Sequence, residues 1–273
     1  MKRSEFSNRL GLYTTILKIN IVNSWRLETA YFANGWGNVL STIAYTITFL
    51  VFISVIFANV HTMAGYTRDQ MLLLLLVGQI TFYITYAWTW NNLESMVTDV
   101  NRGSFDLLLS KPLPALFYTS VRNISLLPQL RDGLPSLFFV AIAINWSNIT
   151  IHLAGLICGV LIMVLGQLAV NAAAFLFALP VFWTGQAADS LNLAVVLFSV
   201  TDPPFDGVPK PLRFTLIYLL PVLVPTALAT TVMLGKTSAL FGLALAVSAT
   251  FILVSIKIGA WKIALRNYTS ASS

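Results

Sequence analysis

The strongest constraint on this chain is a set of long apolar runs that no charge interrupts. Trp36–Ala58, Gln70–Trp90, His152–Leu179 and Thr237–Ile256 each pass without an Asp, Glu, Lys or Arg. The hydrocarbon core of a bilayer takes about 20 such residues as a helix. A helix also satisfies its own backbone hydrogen bonds, which lipid cannot do. Only 10% of the 273 residues are charged and 57% are hydrophobic. A soluble domain carries about 25% charged residues, so a water-covered exterior is excluded. The runs are continuous rather than alternating, which excludes a transmembrane barrel. An all-α polytopic membrane protein follows, read as a single domain over 1–273.

Seven segments compete as spans: Trp36–Ala58, Gln70–Trp90, a third within Asn123–Trp146, His152–Leu179, Trp183–Val200, Arg213–Leu234 and Thr237–Ala260. The net charge of +6 is explained by the positive-inside rule rather than by nucleic acid. Basic residues cluster at both ends of the sequence: Lys2, Arg3 and Arg9 at one, Lys257, Lys262 and Arg266 at the other. Both termini are thereby placed inside, so the number of crossings is even, about six. Arg213–Leu234 is the segment expected not to cross. Pro221 and Pro225 each remove a helix hydrogen bond and clash with the preceding turn. That favours a re-entrant helical hairpin over 205–236, which lipid tolerates where protein surrounds it. The alternative, in which Trp183–Val200 fails to cross, would put Lys210 and Arg213 inside.

The first 35 residues lack the compact apolar core of a signal peptide. Phe6, Leu10, Tyr13, Leu17 and Ile21 recur at helical spacing among basic residues, as in an amphipathic helix lying on the inner membrane face. A helix packed on the protein's own core is the competing reading. Arg131 and Asp132 fall in the third span, and Asp189 near the inner end of the fifth. An intramembrane charge is a functional candidate. Pro128, Gly133 and Pro135 point instead to an irregular, hydrated stretch, and neighbours in sequence do not face each other on a helix. Each charge therefore needs its own partner. Thr42, Thr46, Gln79, Thr85, Gln167 and Asn171 are polar residues available to line a path. Gly155 and Gly159 are spaced for close helix contact, expected within the chain.

Other chemistry is excluded by what is missing. Cys158 is the single cysteine, and His61 and His152 stand apart, so no metal centre is expected. Gly235-Lys236-Thr237 resembles the end of a phosphate-binding loop, but that motif needs a glycine where Thr230 stands and a strand before it. No nucleophile–base pairing or catalytic carboxylate pair appears, and no nucleotide site is expected in this chain.

The polar stretch 91–122 then acquires meaning. "RGSFDLLLSKPLPALF", Arg102–Phe117, resembles the G-x-hydrophobic-D-x-L-L-x-K-P cytoplasmic signature of ABC-2 type transporter permeases. "VPKPLRFTLIYLLPVLVPTALATTVMLGK", Val208–Lys236, is similar to that family's proline-bearing stretch before the last span. "WKIALRNYTSAS", Trp261–Ser272, is similar to its C-terminal tail. The tyrosine usual before the first proline of the middle stretch is absent. The resemblance implies that 91–122 holds a coupling helix docking on separate ABC ATP-binding subunits, which would bind ATP and Mg, with no cofactor in this chain. It implies a second permease subunit, identical or paralogous, and a bacterial inner membrane. Arg102, Gly103, Phe105, Asp106, Leu108, Leu109, Lys111 and Pro112 would form the coupling element, Phe105, Leu108 and Leu109 as an apolar knob, Asp106 and Lys111 as charges fixing orientation. Pro112 and Pro114 would end the helix. Pro221 and Pro225 would shape a gate. The competing functions are a secondary transporter or channel, which calls for an inverted repeat, and a membrane scaffold.

Overall fold

The computed structural model describes residues 2–30, 35–111, 114–185, 187–199 and 203–268. Among them there is no strand, only an isolated bridge between Met63 and Tyr66. The chain opens with α1 (Lys2–Ala30) and α2 (Trp36–Asn59). Next comes α3 (Arg68–Thr85), started by a capping box in which Thr67 and Gln70 exchange side-chain and backbone hydrogen bonds. A π-helical turn, Tyr86–Trp90, carries α3 into α4 (Asn91–Arg102) without a break. Two short helices follow, α5 (Phe105–Leu109) and α6 (Ala115–Val121), then α7 (Leu126–Ala143) and α8 (Leu153–Ala178). The remainder is α9 (Val181–Thr184), α10 (Ala188–Phe198), α11 (Lys210–Tyr218), α12 (Ala229–Met233) and α13 (Ala239–Asn267).

Four helices are long and apolar enough to cross a membrane: α2, the joined α3–α4, the joined α8–α9, and α13. Helix α7 falls below their apolarity because it carries Gln129, Arg131 and Asp132. It nevertheless runs the full depth beside α3. At one end Ser125 N donates to Ala87 O, 2.9 Å; at the other Asn145 N donates to the Asp69 carboxylate, 3.1 Å. The stretch from Asp69 to Ala87, α3 and the start of the π turn, is about 27 Å long at 1.5 Å per residue, close to the hydrocarbon thickness of about 30 Å. The all-α polytopic architecture is therefore met, with α7 crossing on geometry rather than on hydropathy.

Two sequence expectations are revised. The second span does not stop at Trp90: α3–α4 is 35 residues long, about 52 Å, so it projects well past a bilayer. Among the aromatics near its middle, Trp90 is only 4% exposed and Phe82, Tyr83, Tyr86 and Trp88 are half-buried. Along α1 the expected stripe is only part of the pattern: Tyr13, Leu17 and Ile21 are half-buried, while Ile19, Val22 and Trp25 off the stripe are exposed. Where α1 is held, the contacts are mixed. Tyr13 stacks on Phe117 at 4.6 Å, Asn20 Nδ2 donates to Val121 O, and the Glu28 carboxylate accepts from Leu127 N. The helix lies along α6 and the start of α7, and the Phe6 and Leu10 side chains lie outside the described residues.

The prolines act as expected on local geometry. Pro221 opens a 3₁₀ turn and Pro225 sits in a π turn. Around them α11 and the arm Pro221–Met233 meet at 83°. Both arms return to the α2–α3 loop. A Cβ on Gly207 would meet the Ala64 Cβ at 3.1 Å, and Lys236 Nζ donates to Gly65 O at 2.6 Å. The tip reaches α3 a long way down, where Thr81 Oγ1 donates to Pro225 O. Helix α8 makes room for this hairpin with glycines. A Cβ on Gly159 would meet Met233 Cγ at 2.3 Å, and one on Gly166 would meet Pro225 N at 2.5 Å. The Gly155–Gly159 contact is thus within the chain.

Candidate functional site

Helix α4 ends at Gly103, whose φ of +71° is the left-handed geometry that glycine adopts without a Cβ penalty. The reversal starts α5, whose first residue anchors it. Phe105 is 0% exposed and meets Phe182, Trp261 and Tyr268 edge-on, centroids 5.3, 6.1 and 5.2 Å away. Edge-to-face contacts at these distances are the favoured aromatic geometry. Leu108 is buried beside it. The outward side chains are Leu107, 71% exposed, and Leu109, 41% exposed.

This reverses the expected orientation of the apolar knob. Periodicity identified Phe105 and Leu108 as sharing a face, but not whether that face meets a partner or the chain itself. Arg102 is exposed. Lys111 Nζ donates to Tyr118 Oη at 2.7 Å and lies over that ring. Asp106 is half-buried near Tyr268. Burial and, after it, this carboxylate raise the Tyr268 hydroxyl above its usual pKa. Pro112 lies outside the described residues, while Pro114 directly precedes α6.

Polar bonds tie the turn to the spans. Asp99 pairs with Arg122 and accepts from Ser104 Oγ at 3.0 Å. Asn92 and Asn123 bond reciprocally: Asn92 Nδ2 to Asn123 O at 2.8 Å, Asn123 N to Asn92 Oδ1 at 2.8 Å. Deeper lies Lys257, which sequence reasoning used only as an orientation marker. It is 8% exposed. Its Nζ donates to Asn171 Oδ1 at 2.9 Å and Ser120 Oγ at 3.3 Å, over the Phe175 ring. Asn171 Nδ2 in turn donates to Thr89 Oγ1, and Trp88 Nε1 to Ser120 O at 2.7 Å. Among the described residues no carboxylate faces Lys257. One cation joins α13, α8 and α6. The available signal was a lysine inside an otherwise unbroken apolar run.

The remaining candidates separate. Thr85 Oγ1 donates to Gln167 Oε1 at 3.0 Å, and Gln167 Nε2 to Thr81 O at 2.9 Å, so this pair closes the region above Lys257. Thr42, Thr46 and Gln79 lie on the other side of α3 with Ser136. Arg131 and Asp132 do not need separate partners. Arg131 Nε and Nη2 reach the Asp132 carboxylate at 2.6 and 3.1 Å. The spacing rule governs where side chains leave the helix, whereas the long arginine curls back over Gly35, whose missing Cβ leaves it space. Asp189 is exposed in the first turn of α10, where the helix dipole favours a carboxylate. Pro221 and Pro225 are buried at the hairpin tip. Gly235–Thr237 is a turn after α12, its lysine engaged with Gly65. Among the described residues no group of His, Cys, Asp and Glu is placed to hold a metal.

No curated protein and no solved structure matches the chain. A family model described as ABC-2 family transporter protein matches residues 42–272, a range that takes in most of α2 and everything from α3 to α13, with α5 and the hairpin among them. The chain therefore belongs to the ABC-2 transporter family, as an integral membrane permease component of an ABC transporter that works with ATP-binding partner subunits.

Proposed function

We propose that this permease exports a hydrophobic or amphipathic substrate, with ATP hydrolysed by separate subunits that dock on the outward face of α5. One observation carries the reading: a five-residue helix buries Phe105 among residues of α9, α13 and the chain just after it, while presenting Leu107 to solvent. Exposed apolar side chains flanked by Arg102 and Lys111 suit a groove on a partner. Force applied to Leu107 passes through the Phe105 cage into α13 and α8–α9, the helices that grip the hairpin. Two nucleotide-dependent states of the partner, one of which fits α5 better, would shift the spans between two arrangements. The hairpin around Pro221 and Pro225 dips from the far side and serves as the gate. A second permease subunit completes the pathway, in a bacterial inner membrane with both termini cytoplasmic.

The test is co-purification of the chain with its ATP-binding subunit, followed by ATPase measurement in lipid. Leu107→Glu places a charge in the contact without touching the core. It is expected to lose the complex or its permease-dependent ATPase activity while the chain remains folded. Full retention of both in Leu107→Glu and Leu109→Glu would remove α5 as the docking element.

A further inference from the structure

Between α2, α3 and α7 lies a cleft of about 460 Å³, inside the range of about 300–1,000 Å³ usual for small-molecule sites. It occupies the half of the bundle nearer α5, since Ser41 and Thr42 lie within the first two turns of α2. Leu75 and Phe82 give it an apolar wall; Ser41, Thr42, Gln79 and Ser136 face them with hydroxyl and amide groups. The larger groove on the other side of α3, about 760 Å³, is lined almost wholly by aliphatic and aromatic side chains and has no such convergence.

A short chain of hydrogen bonds shapes what the polar wall offers. Thr46 Oγ1 and Ser136 Oγ lie 2.6 Å apart, and Ser136 Oγ donates to Gln79 Oε1 at 2.8 Å. Each hydroxyl has one proton. Thr46 shares its single proton between Thr42 O, 2.8 Å away, and Ser136 Oγ, while Ser136 Oγ donates to the Gln79 carbonyl. That engages the Gln79 carbonyl and leaves its Nε2 as the donor for the cleft, where Ser41 is exposed as well. No charged side chain lines the cleft. Arg131 and Asp132, about one turn away on α7, are engaged in an ion pair with each other. A charged ligand would give up its hydration here without a counter-charge.

We infer that this cleft is a binding site for a neutral amphiphile, whose carbonyl, ether or hydroxyl oxygens accept from Gln79 and Ser41 and whose apolar body lies on Leu75 and Phe82. As a loading site for cargo it rests on the permease reading; as a binding site it does not. The experiment is photolabelling of the purified chain in lipid nanodiscs by benzophenone, a neutral ketone, beside its para-carboxylate and para-(trimethylammonio)methyl derivatives. The expected result is saturable benzophenone labelling of the peptides holding Tyr45 and Tyr83, with neither charged probe matching it. Gln79→Leu and Ser41→Val should each raise half-saturation about two- to tenfold, the range of one neutral hydrogen bond. Ser41 is exposed, so its replacement leaves packing alone. Labelling that merely parallels the exposed Phe251 of α13, equal labelling by a charged probe, or unchanged half-saturation in both variants would overturn the site. The assay contains no ATP and no partner. Binding without ATP-dependent function would sink the permease proposal only, and coupling without binding would sink the site only.

Discussion

Replacing Phe105 by alanine separates the two faces of α5. The ring is 0% exposed and meets three aromatic rings at 5.2–6.1 Å. Deleting a fully buried phenylalanine side chain costs about 3–5 kcal/mol, from lost transfer energy and the cavity left behind. The three edge-on contacts favour the upper part of that range. For a chain of this size, about 2–4 °C of midpoint is lost per kcal/mol, giving a fall of about 6–20 °C. Thermal unfolding of the purified chain in one detergent, followed by tryptophan fluorescence, measures it, with Trp261 reporting from within the cage. Leu107→Glu, an exposed change on the same helix, should stay within about 2 °C, since surface substitutions shift stability by about 0.5 kcal/mol or less. If Phe105→Ala melts within about 2 °C of the parent, or if Leu107→Glu falls as far as Phe105→Ala, the inward anchoring of α5 is wrong.

Further predictions concern the hairpin, the buried cation and topology. Gly166→Ala drives a Cβ into Pro225 and should destabilise by about 1–3 kcal/mol, whereas Gly259→Ala, with nothing within 4 Å, should stabilise α13 by about 0.5–1 kcal/mol; equal effects in thermal melts would refute the close approach at the tip. Asn171→Leu removes an acceptor of a buried ammonium and should cost more than Lys257→Met, while the double variant should recover part of the loss, as a double-mutant cycle reads. An additive cycle would mean the two groups do not interact. In a Cys158→Ser background, cysteines replacing Lys210 and Lys236 should react with an impermeant maleimide from one side of the membrane, and a cysteine replacing Arg102 from the other. Labelling of 210 and 236 from opposite sides would turn the hairpin into a crossing helix.

Much of the architecture was legible because lipid imposes a single-residue rule: uncharged runs of sufficient length become helices. Trp36–Ala58 and α2 nearly coincide for that reason, and the helix-breaking chemistry of Pro221 and Pro225 located the bend. Less was legible where a residue's environment depends on distant segments. The run Gln70–Trp90 ends at its last apolar residue, but the helix continues through α4 because Leu93, Met96, Val97 and Val100 find an apolar surface on α8, α9 and α10. Arg131 and Asp132 looked as though each needed a partner until the reach of the arginine side chain paired them. The orientation of α5 was hidden for the same reason. Its stripe is written in Phe105 and Leu108, but the cage that receives it comes from positions 182, 261 and 268.

By itself, the sequence determined that this chain lives in a bilayer as a helical bundle, because too few charges are present to face water and the backbone must bond within each segment. It also determined where the chain turns, since Gly103 and the proline pair impose local geometry whatever surrounds them. The tertiary structure alone decided which faces are used. It turned Phe105 inward and Leu107 outward, buried Lys257 among neutral acceptors, and set Gln79 and Ser41 toward one cleft. Periodicity defines a face, but only packing against residues far along the chain decides what that face meets.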